Sequence, residues 1–125
     1  MADFEQLGVW RLAHEICLET YTFIHQFPTE ERFALAQQMR RAAASVPTNI
    51  AEGNERPSPA DFCHFMDIAL GSVAELRYQL ILARDLGYIT PTAASELATK
   101  LSGLVRMLRE FKTAGGAARK ATRRP

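Results

Sequence analysis

The stretch from Arg40 to Gly53, RRAAASVPTNIAEG, places a proline inside a segment that has the periodicity of a helix. Apolar residues on this segment recur every three or four positions, which is typical of a helix with one buried face. The small residues before Val46 let a second helix approach closely. Pro47 removes the hydrogen bond to the carbonyl of Ala43 and predicts a kink. We therefore expect a bent and closely packed helix.

Start and stop signals on either side of this stretch divide the chain into four helices. Polar capping residues, prolines and glycines place them at about residues 3–26, 29–53, 58–87 and 90–112. No segment alternates with the period of a strand. All three connections are short, so neighbouring helices must run antiparallel. The sequence predicts an all-α, up-down-up-down four-helix bundle whose second helix is kinked at Pro47.

The charge of the chain is unevenly distributed. The formal net charge is +1, but the segment 114–125, AGGAARKATRRP, holds four basic residues and no acid, which leaves 11 basic and 14 acidic residues before it, a net charge of −3. With alanine as its only apolar content, this segment predicts a disordered basic tail after a bundle domain at 1–113. A truncation after Thr113 is then expected to leave the core intact. The tail could touch phosphates or simply be a solvated end.

A line of polar residues runs beside the apolar face of the second helix. In a hairpin of helices 2 and 3, Arg41 would lie opposite the region of Leu70 to Glu75, and its guanidinium could bind the Glu75 carboxylate. The network serves either to specify the packing or as a polar pocket. Its predicted members are Gln38, Arg41, Ser45, Asn49, Glu52, Ser72 and Glu75.

Helices 1 and 3 carry more apolar surface than one core requires. A helix docked on a single core needs an apolar arc of about 100°, and the arc of helix 1 is roughly twice as wide. We interpret the excess as a subunit interface, the alternative being a thick central helix in a monomer. The candidate interface residues are Leu12, Ile16, Phe23, Ile81 and Leu82.

Residues with catalytic or metal-binding chemistry are few and scattered. His14 and Cys17, and likewise Cys63 and His64, are too sparse for a zinc site without other ligands. Neither a glycine-rich phosphate loop nor a serine nucleophile motif is present. We expect a non-enzyme without a metal, a cofactor or a small-molecule substrate. The cysteines are expected to be buried thiols in a reducing compartment, and the N-terminus lacks a signal core, so the expected location is the cytoplasm, without membrane contact.

The motif RRAAASVPTNIAEG, preceded by FALAQQ and followed by FCHFMDIALGSVAELRYQLILARDLGYI, resembles the signature of the proteins encoded in intervening sequences of bacterial 23S rRNA genes. Val9-Trp10, Tyr21 and Phe27-Pro28 extend the resemblance over nearly the whole chain before the tail. It implies a four-helix bundle that assembles as a ring-like homopentamer. The family is similar to the accessory variability protein of diversity-generating retroelements, which binds nucleic acid and a reverse transcriptase. The intervening-sequence proteins themselves have no established activity.

Two functions fit these observations. One is an oligomeric scaffold associated with RNA or an RNA-protein complex; the other is a protein-protein adaptor ring with no direct nucleic-acid role. Phosphate contacts weaken steeply with salt, so the salt dependence of RNA binding would separate them. The candidate nucleic-acid-binding residues are Arg40, Arg56, Arg119, Lys120, Arg123 and Arg124.

Overall fold

A computed structural model describes residues 3–122, which form four α-helices and no strand. These are α1 (Gly8–Ile24), α2 (Leu35–Asn54), α3 (Pro59–Asp85) and α4 (Pro91–Thr122), with short 3₁₀ turns at Phe4–Gln6 and Thr29–Glu31. Each helix packs on the next along the chain, and α1 packs on α4 to close the bundle. The predicted four-helix bundle is confirmed.

The core is formed by one apolar stripe from each helix. In α4, the apolar residues that recur every three or four positions form the buried stripe, as this spacing predicts. Leu101, Leu104 and Leu108 are completely buried. It meets buried side chains from the other helices, which include Ile16, Met39, Ile50, Phe62, Met66, Val73 and Leu76. Burial of these side chains supplies the main driving force for folding.

Side-chain caps set the starts of α3 and α4, and a glycine sets the end of α3, as predicted. Ser58 Oγ accepts a hydrogen bond from the Asp61 amide at 3.3 Å, and Thr90 Oγ1 accepts one from the Ala93 amide at 3.1 Å. Gly87 has a φ of 78°, which a residue with a side chain rarely adopts. Its neighbour Tyr88 donates its amide to the Ala83 carbonyl at 2.9 Å, which completes a Schellman motif at the end of α3.

The starts of α1 and α2 differ from the prediction. Asp3 accepts a hydrogen bond from the Glu5 amide and so caps the first 3₁₀ turn, not α1, which begins at Gly8. Thr29 likewise opens a 3₁₀ turn, and α2 begins only at Leu35 because the backbone of Ala34 is not helical, with φ −120° and ψ −108°. The hydroxyl of Tyr88 donates to Glu31 Oε2 at 2.9 Å, which ties this turn to the segment after α3.

Helix α2 continues through Pro47, which is buried, and the bend at this position stays a prediction. The helix ends at Asn54, one residue beyond the predicted stop at Gly53. A Cβ on Gly53 would lie 2.5 Å from Met66 Cε and 2.8 Å from Phe65 Cβ. This glycine therefore allows α2 and α3 to approach closely where the hairpin turns.

The end of α4 is the largest difference. The helix does not fade near Lys112 but continues to Thr122, so the prediction of a disordered tail is wrong for residues 114–122. The physical reason is packing between helices: Gly115 lets α4 lie against Phe62, and Arg119 becomes buried. Residues 123–125 lie outside the described part of the chain. None of the described helices is long and apolar enough to cross a membrane.

Candidate nucleic-acid interface

Arg119, predicted to contact nucleic acid, is instead part of the packed interior. Its exposed fraction is 8%. The guanidinium donates from Nε to the Arg56 carbonyl at 2.7 Å and from Nη2 to the Asn54 carbonyl at 3.0 Å. Burial lowers the pKa of Arg119. Arg119 thus joins the last turns of α4 to the end of α2, and its guanidinium is directed to these carbonyl groups instead of the surface.

The remaining predicted contact residues are spread over the molecule. Arg56 and Lys120 are exposed near the same end of the bundle, and the Arg56 guanidinium lies 5.0 Å from the centre of the Phe65 ring. Arg40 is half-buried, and its Nη2 donates to the Arg32 carbonyl at 3.0 Å. Arg123 and Arg124 lie outside the described residues. The structure therefore places Arg56 and Lys120 near one end of the bundle without a contact between their side chains, and Arg40 lies toward the other end of α2.

The α2–α3 polar network is smaller than predicted. The Ser45 and Ser72 hydroxyls lie 2.8 Å apart, and Asn49 Nδ2 donates to the Ser45 carbonyl at 2.7 Å and to Ser45 Oγ at 3.0 Å. These half-buried groups satisfy one another between the two helices, which favours the structural role over a pocket. Further along α3, Gln79 Nε2 donates to Glu75 Oε1 at 3.4 Å.

The other predicted members do not join this network. Gln38, Arg41 and Glu52 are exposed, and among the described residues the structure has no ion pair between Arg41 and Glu75. Arg41 Nη2 lies 3.2 Å from the side-chain amide of Gln37. The predicted Arg41–Glu75 pair is wrong because the Arg41 side chain is exposed on the outer side of α2. The contact between α2 and α3 is formed instead by Ser45 and Asn49.

The face between α3 and α4 places the predicted contact Lys120 beside two basic residues that were not among the predicted contacts, Arg109 and Lys112. At the C-terminal end of α4, Arg109, Lys112 and Lys120 line a groove of about 640 Å³, which we call the tail groove. Its floor is formed by Cys63, Leu70, Gly116 and Ala117. Lys112 Nζ donates to Asp67 Oδ1 at 2.7 Å, and this hydrogen bond raises the pKa of Lys112. Arg109 and Lys120 form no ion pair within residues 3–122.

A second groove lies at the other end of the same face, beside the α3–α4 turn. This turn groove has a volume of about 330 Å³, and Arg77 and Arg84 form its basic rim. Arg84 Nε binds Asp85 Oδ1 at 2.9 Å, whereas Arg77 has no ion pair among the described residues. Arg77 and Arg84 are seven residues apart, and a seven-residue spacing returns to the same helix face. That spacing was the signal in the sequence that could have found this rim.

The predicted oligomer interface is partly buried in the monomer. Ile16 is 2% exposed and belongs to the core, so it cannot contact another subunit directly. Leu12, Phe23 and Leu82 are half-buried and pack against the core. Of the five residues, Ile81 alone is a large exposed side chain, at 45%. The apolar residues that α1 exposes are instead Leu18 and Tyr21.

The histidines and cysteines do not assemble into a reactive site. Cys17 and Cys63 are free thiols that are half-buried, less than the predicted full burial, and partial burial raises the pKa of Cys17. The ring of His14 stacks on Trp10 with centroids 4.9 Å apart. Residues 3–122 hold no group of three or more His, Cys, Asp or Glu side chains that could bind a metal ion.

The geometry thus defines an antiparallel four-helix bundle. Hydrogen bonds among Ser45, Asn49 and Ser72 join α2 to α3, and basic residues line the face between α3 and α4. The family model described as 23S rRNA-intervening sequence protein matches residues 5–110, and the chain belongs to this family. No curated protein matches the sequence.

Among solved structures, the bundle is similar to the crystal structure of a protein of unknown function from the S23 ribosomal protein family of Bacteroides thetaiotaomicron VPI-5482. The TM-score is 0.77 at 24% identity, over 84% of this chain and 95% of that chain. At this identity, the similarity shows the fold.

Proposed function

We propose that this protein is a non-enzymatic, oligomeric scaffold that associates with RNA in the cytoplasm. The tail groove is the observation that carries the proposal. Arg109 and Lys120 present two cations without an ion pair among the described residues on one groove, beside Lys112, which is paired with Asp67, and Arg56 lies near the same end of the bundle. Clustered cations of this kind neutralise phosphates and release counterions, which is the main source of affinity for nucleic acids.

Self-association is the second part of the proposal. Leu18 is 56% and Tyr21 is 41% exposed, and both lie on the outer side of α1. Beside them, Trp10, Cys17 and Pro47 line an apolar groove of about 440 Å³ between α1 and α2. A second copy that covers these residues would remove apolar surface from water. The family resemblance suggests a homopentamer, and light scattering that gives only the 14.0 kDa monomer would contradict this part.

The alternative function is an adaptor ring that binds a protein without contacting nucleic acid. The observation that favours it is Phe33, a large apolar side chain that is 80% exposed before α2. An aromatic residue this accessible is a typical anchor of a protein interface.

The test is RNA binding measured by fluorescence anisotropy at several salt concentrations. We expect Arg109→Gln combined with Lys120→Gln to weaken binding and to flatten the slope of log K against log salt. The slope should fall by about 0.7 for each phosphate of a single strand that the protein no longer neutralises. Arg41→Gln is the matched control, since Arg41 is exposed on α2 and lies outside the groove. RNA binding without salt dependence, or no binding by the wild type, would favour the adaptor.

A further inference from the structure

The two basic grooves lie in line along one face of the bundle. The tail groove includes Gly116 and the turn groove includes Ala94, both on α4. Because a helix rises about 1.5 Å per residue, these two positions are about 33 Å apart. Both grooves are formed by the same pair of helices, so a flexible polymer could pass from one to the other without crossing the bundle.

The turn groove combines positive charge with exposed apolar surface. Arg77 and Arg84 stand beside a floor that includes Leu80, Ala94 and Ala98. Ile81 also lines this groove and is 45% exposed. Tyr78 is 63% exposed and does not line the groove itself; it lies on the outer side of α3, one helical turn before Ile81, at the edge of the groove. The arginines of the groove rim provide phosphate contacts, and the accessible ring at the edge of the groove provides a stacking surface for a base.

This combination discriminates between forms of nucleic acid. A duplex keeps its bases stacked and paired inside, so an exposed tyrosine and an apolar floor would gain nothing from it. A single strand can turn its bases toward the protein while its phosphates meet the basic rim. Charge complementarity therefore selects a polyanion, and the apolar surface selects one with accessible bases.

We infer that the α3–α4 face binds a single-stranded RNA segment that runs from the tail groove to the turn groove, with a base stacked on Tyr78. This inference rests on the proposed function and adds the path and the form of the RNA. Arg77 and Arg84 contact phosphates in the turn groove, and Arg109 and Lys120 contact them in the tail groove. The two grooves are separate binding sites for one RNA strand. The affinity for RNA therefore rises with strand length until the strand occupies both grooves.

The probes are fluorescein-labelled, unstructured pyrimidine RNAs of about 6 and about 12 nucleotides, within the site sizes of single-strand-binding folds, and a duplex of the longer sequence. We expect the longer strand to bind about tenfold more tightly than the shorter one and than the duplex. Tyr78→Ala should weaken binding of the longer strand about fivefold or more, and Arg77→Gln should flatten its salt slope by about 0.7. Circular dichroism confirms that each variant is folded.

The matched control is Arg41→Gln for an exposed arginine outside both grooves, and it should leave binding unchanged. If Arg109→Gln and Lys120→Gln weaken binding while Tyr78→Ala and Arg77→Gln do not, the inference is overturned and the proposed function stands. Equal or tighter binding of the duplex also overturns it. A Tyr78→Ala protein whose mass in light scattering falls to that of the monomer would overturn it too, because a second copy would then cover this face. Absence of any salt-dependent RNA binding would overturn both the inference and the proposed function.

Discussion

The guanidinium carbon of Arg119 lies 3.8 Å from the centre of the Phe62 ring. A charged side chain of α4 therefore packs on the face of a completely buried aromatic ring near the start of α3. The same guanidinium donates to the Gly115 carbonyl at 3.1 Å and to the carbonyls of Asn54 and Arg56 at the end of α2. The last carbonyls of a helix need donors from outside it. Arg119 therefore stabilises the α2–α3 turn and the last turns of α4 together.

Replacing Arg119 by alanine should destabilise the protein by about 3 kcal/mol, because buried carbonyl groups lose a charged donor and Phe62 loses its cover. Urea denaturation followed by circular dichroism measures this change. Lys120→Ala is the matched control: Lys120 is exposed on the next position of the helix, and the change should stay within about 0.5 kcal/mol. Equal unfolding midpoints for the two variants would show that the Arg119 contacts contribute nothing to stability.

Truncation after Thr113 should lower stability, contrary to the expectation from the sequence. It removes Arg119 and the buried Gly116, and it uncovers Phe62, which is completely buried in the intact chain. We expect a lower melting temperature and a larger destabilisation than that of Arg119→Ala alone, since more of α4 is removed. A truncated protein that melts with the full-length chain would contradict the packing of the α4 end.

Two glycines of α4 should respond to alanine in opposite ways. A Cβ on Gly115 would lie 2.4 Å from Phe62 Cζ, so Gly115→Ala forces the ring or the helix to move and should cost about 1–3 kcal/mol. A Cβ on Gly103 would meet nothing within 4 Å, and Gly103→Ala should stabilise the helix by about 0.5–1 kcal/mol. Thermal melts of the two variants provide the comparison, and shifts of the same sign would disprove it.

Arg40 should contribute more to stability than its neighbour Arg41, whereas the predicted Arg41–Glu75 pair would give the reverse order. Arg40 binds the Arg32 carbonyl, and Arg40→Ala should destabilise the protein by about 0.5–1 kcal/mol. Arg41 is exposed and has no ion pair within residues 3–122, so Arg41→Ala should change stability by less than about 0.5 kcal/mol. Chemical denaturation ranks the two variants. A larger destabilisation by Arg41→Ala would restore the predicted contact with Glu75.

The Tyr88–Glu31 hydrogen bond should make stability fall at alkaline pH. This bond raises the pKa of Tyr88, because a tyrosinate would lose its donated hydrogen and face the Glu31 carboxylate. The stabilisation is thus fully present below the ordinary tyrosine pKa of about 10 and is lost as pH rises through the higher pKa of the folded protein. Glu31→Gln should move the Tyr88 titration, measured as the ultraviolet difference against Tyr88→Phe, to lower pH. An unchanged titration would contradict the contact.

Much of the fold could be predicted because its signals are local. Ser58 and Gly87 mark the ends of α3 through groups within five residues of themselves, and the apolar spacing of α4 identifies its buried stripe without reference to any other helix. The start of α2 was placed too early since Thr29 and its following glutamates suit a 3₁₀ turn as well as an α-helix.

The candidate site was less predictable because it depends on how helices face one another. From the sequence, Arg119 belonged to a basic segment without apolar content, whereas Arg77 and Arg109 were ordinary surface charges. The structure reverses these assignments: Arg119 is buried, and Arg77 and Arg109 line grooves on one face. Helical spacing places a residue on a face, but it does not specify which neighbour covers that face.

The sequence by itself determined four helices, their order and the apolar stripe of α4, since capping groups and apolar periodicity act within a few residues. Only the tertiary structure decided where α4 ends. Arg119 and the Asn54 carbonyl are 65 residues apart in the chain. A charged side chain is buried only where the fold supplies acceptors that replace its water, and those acceptors exist once α2, α3 and α4 have packed together.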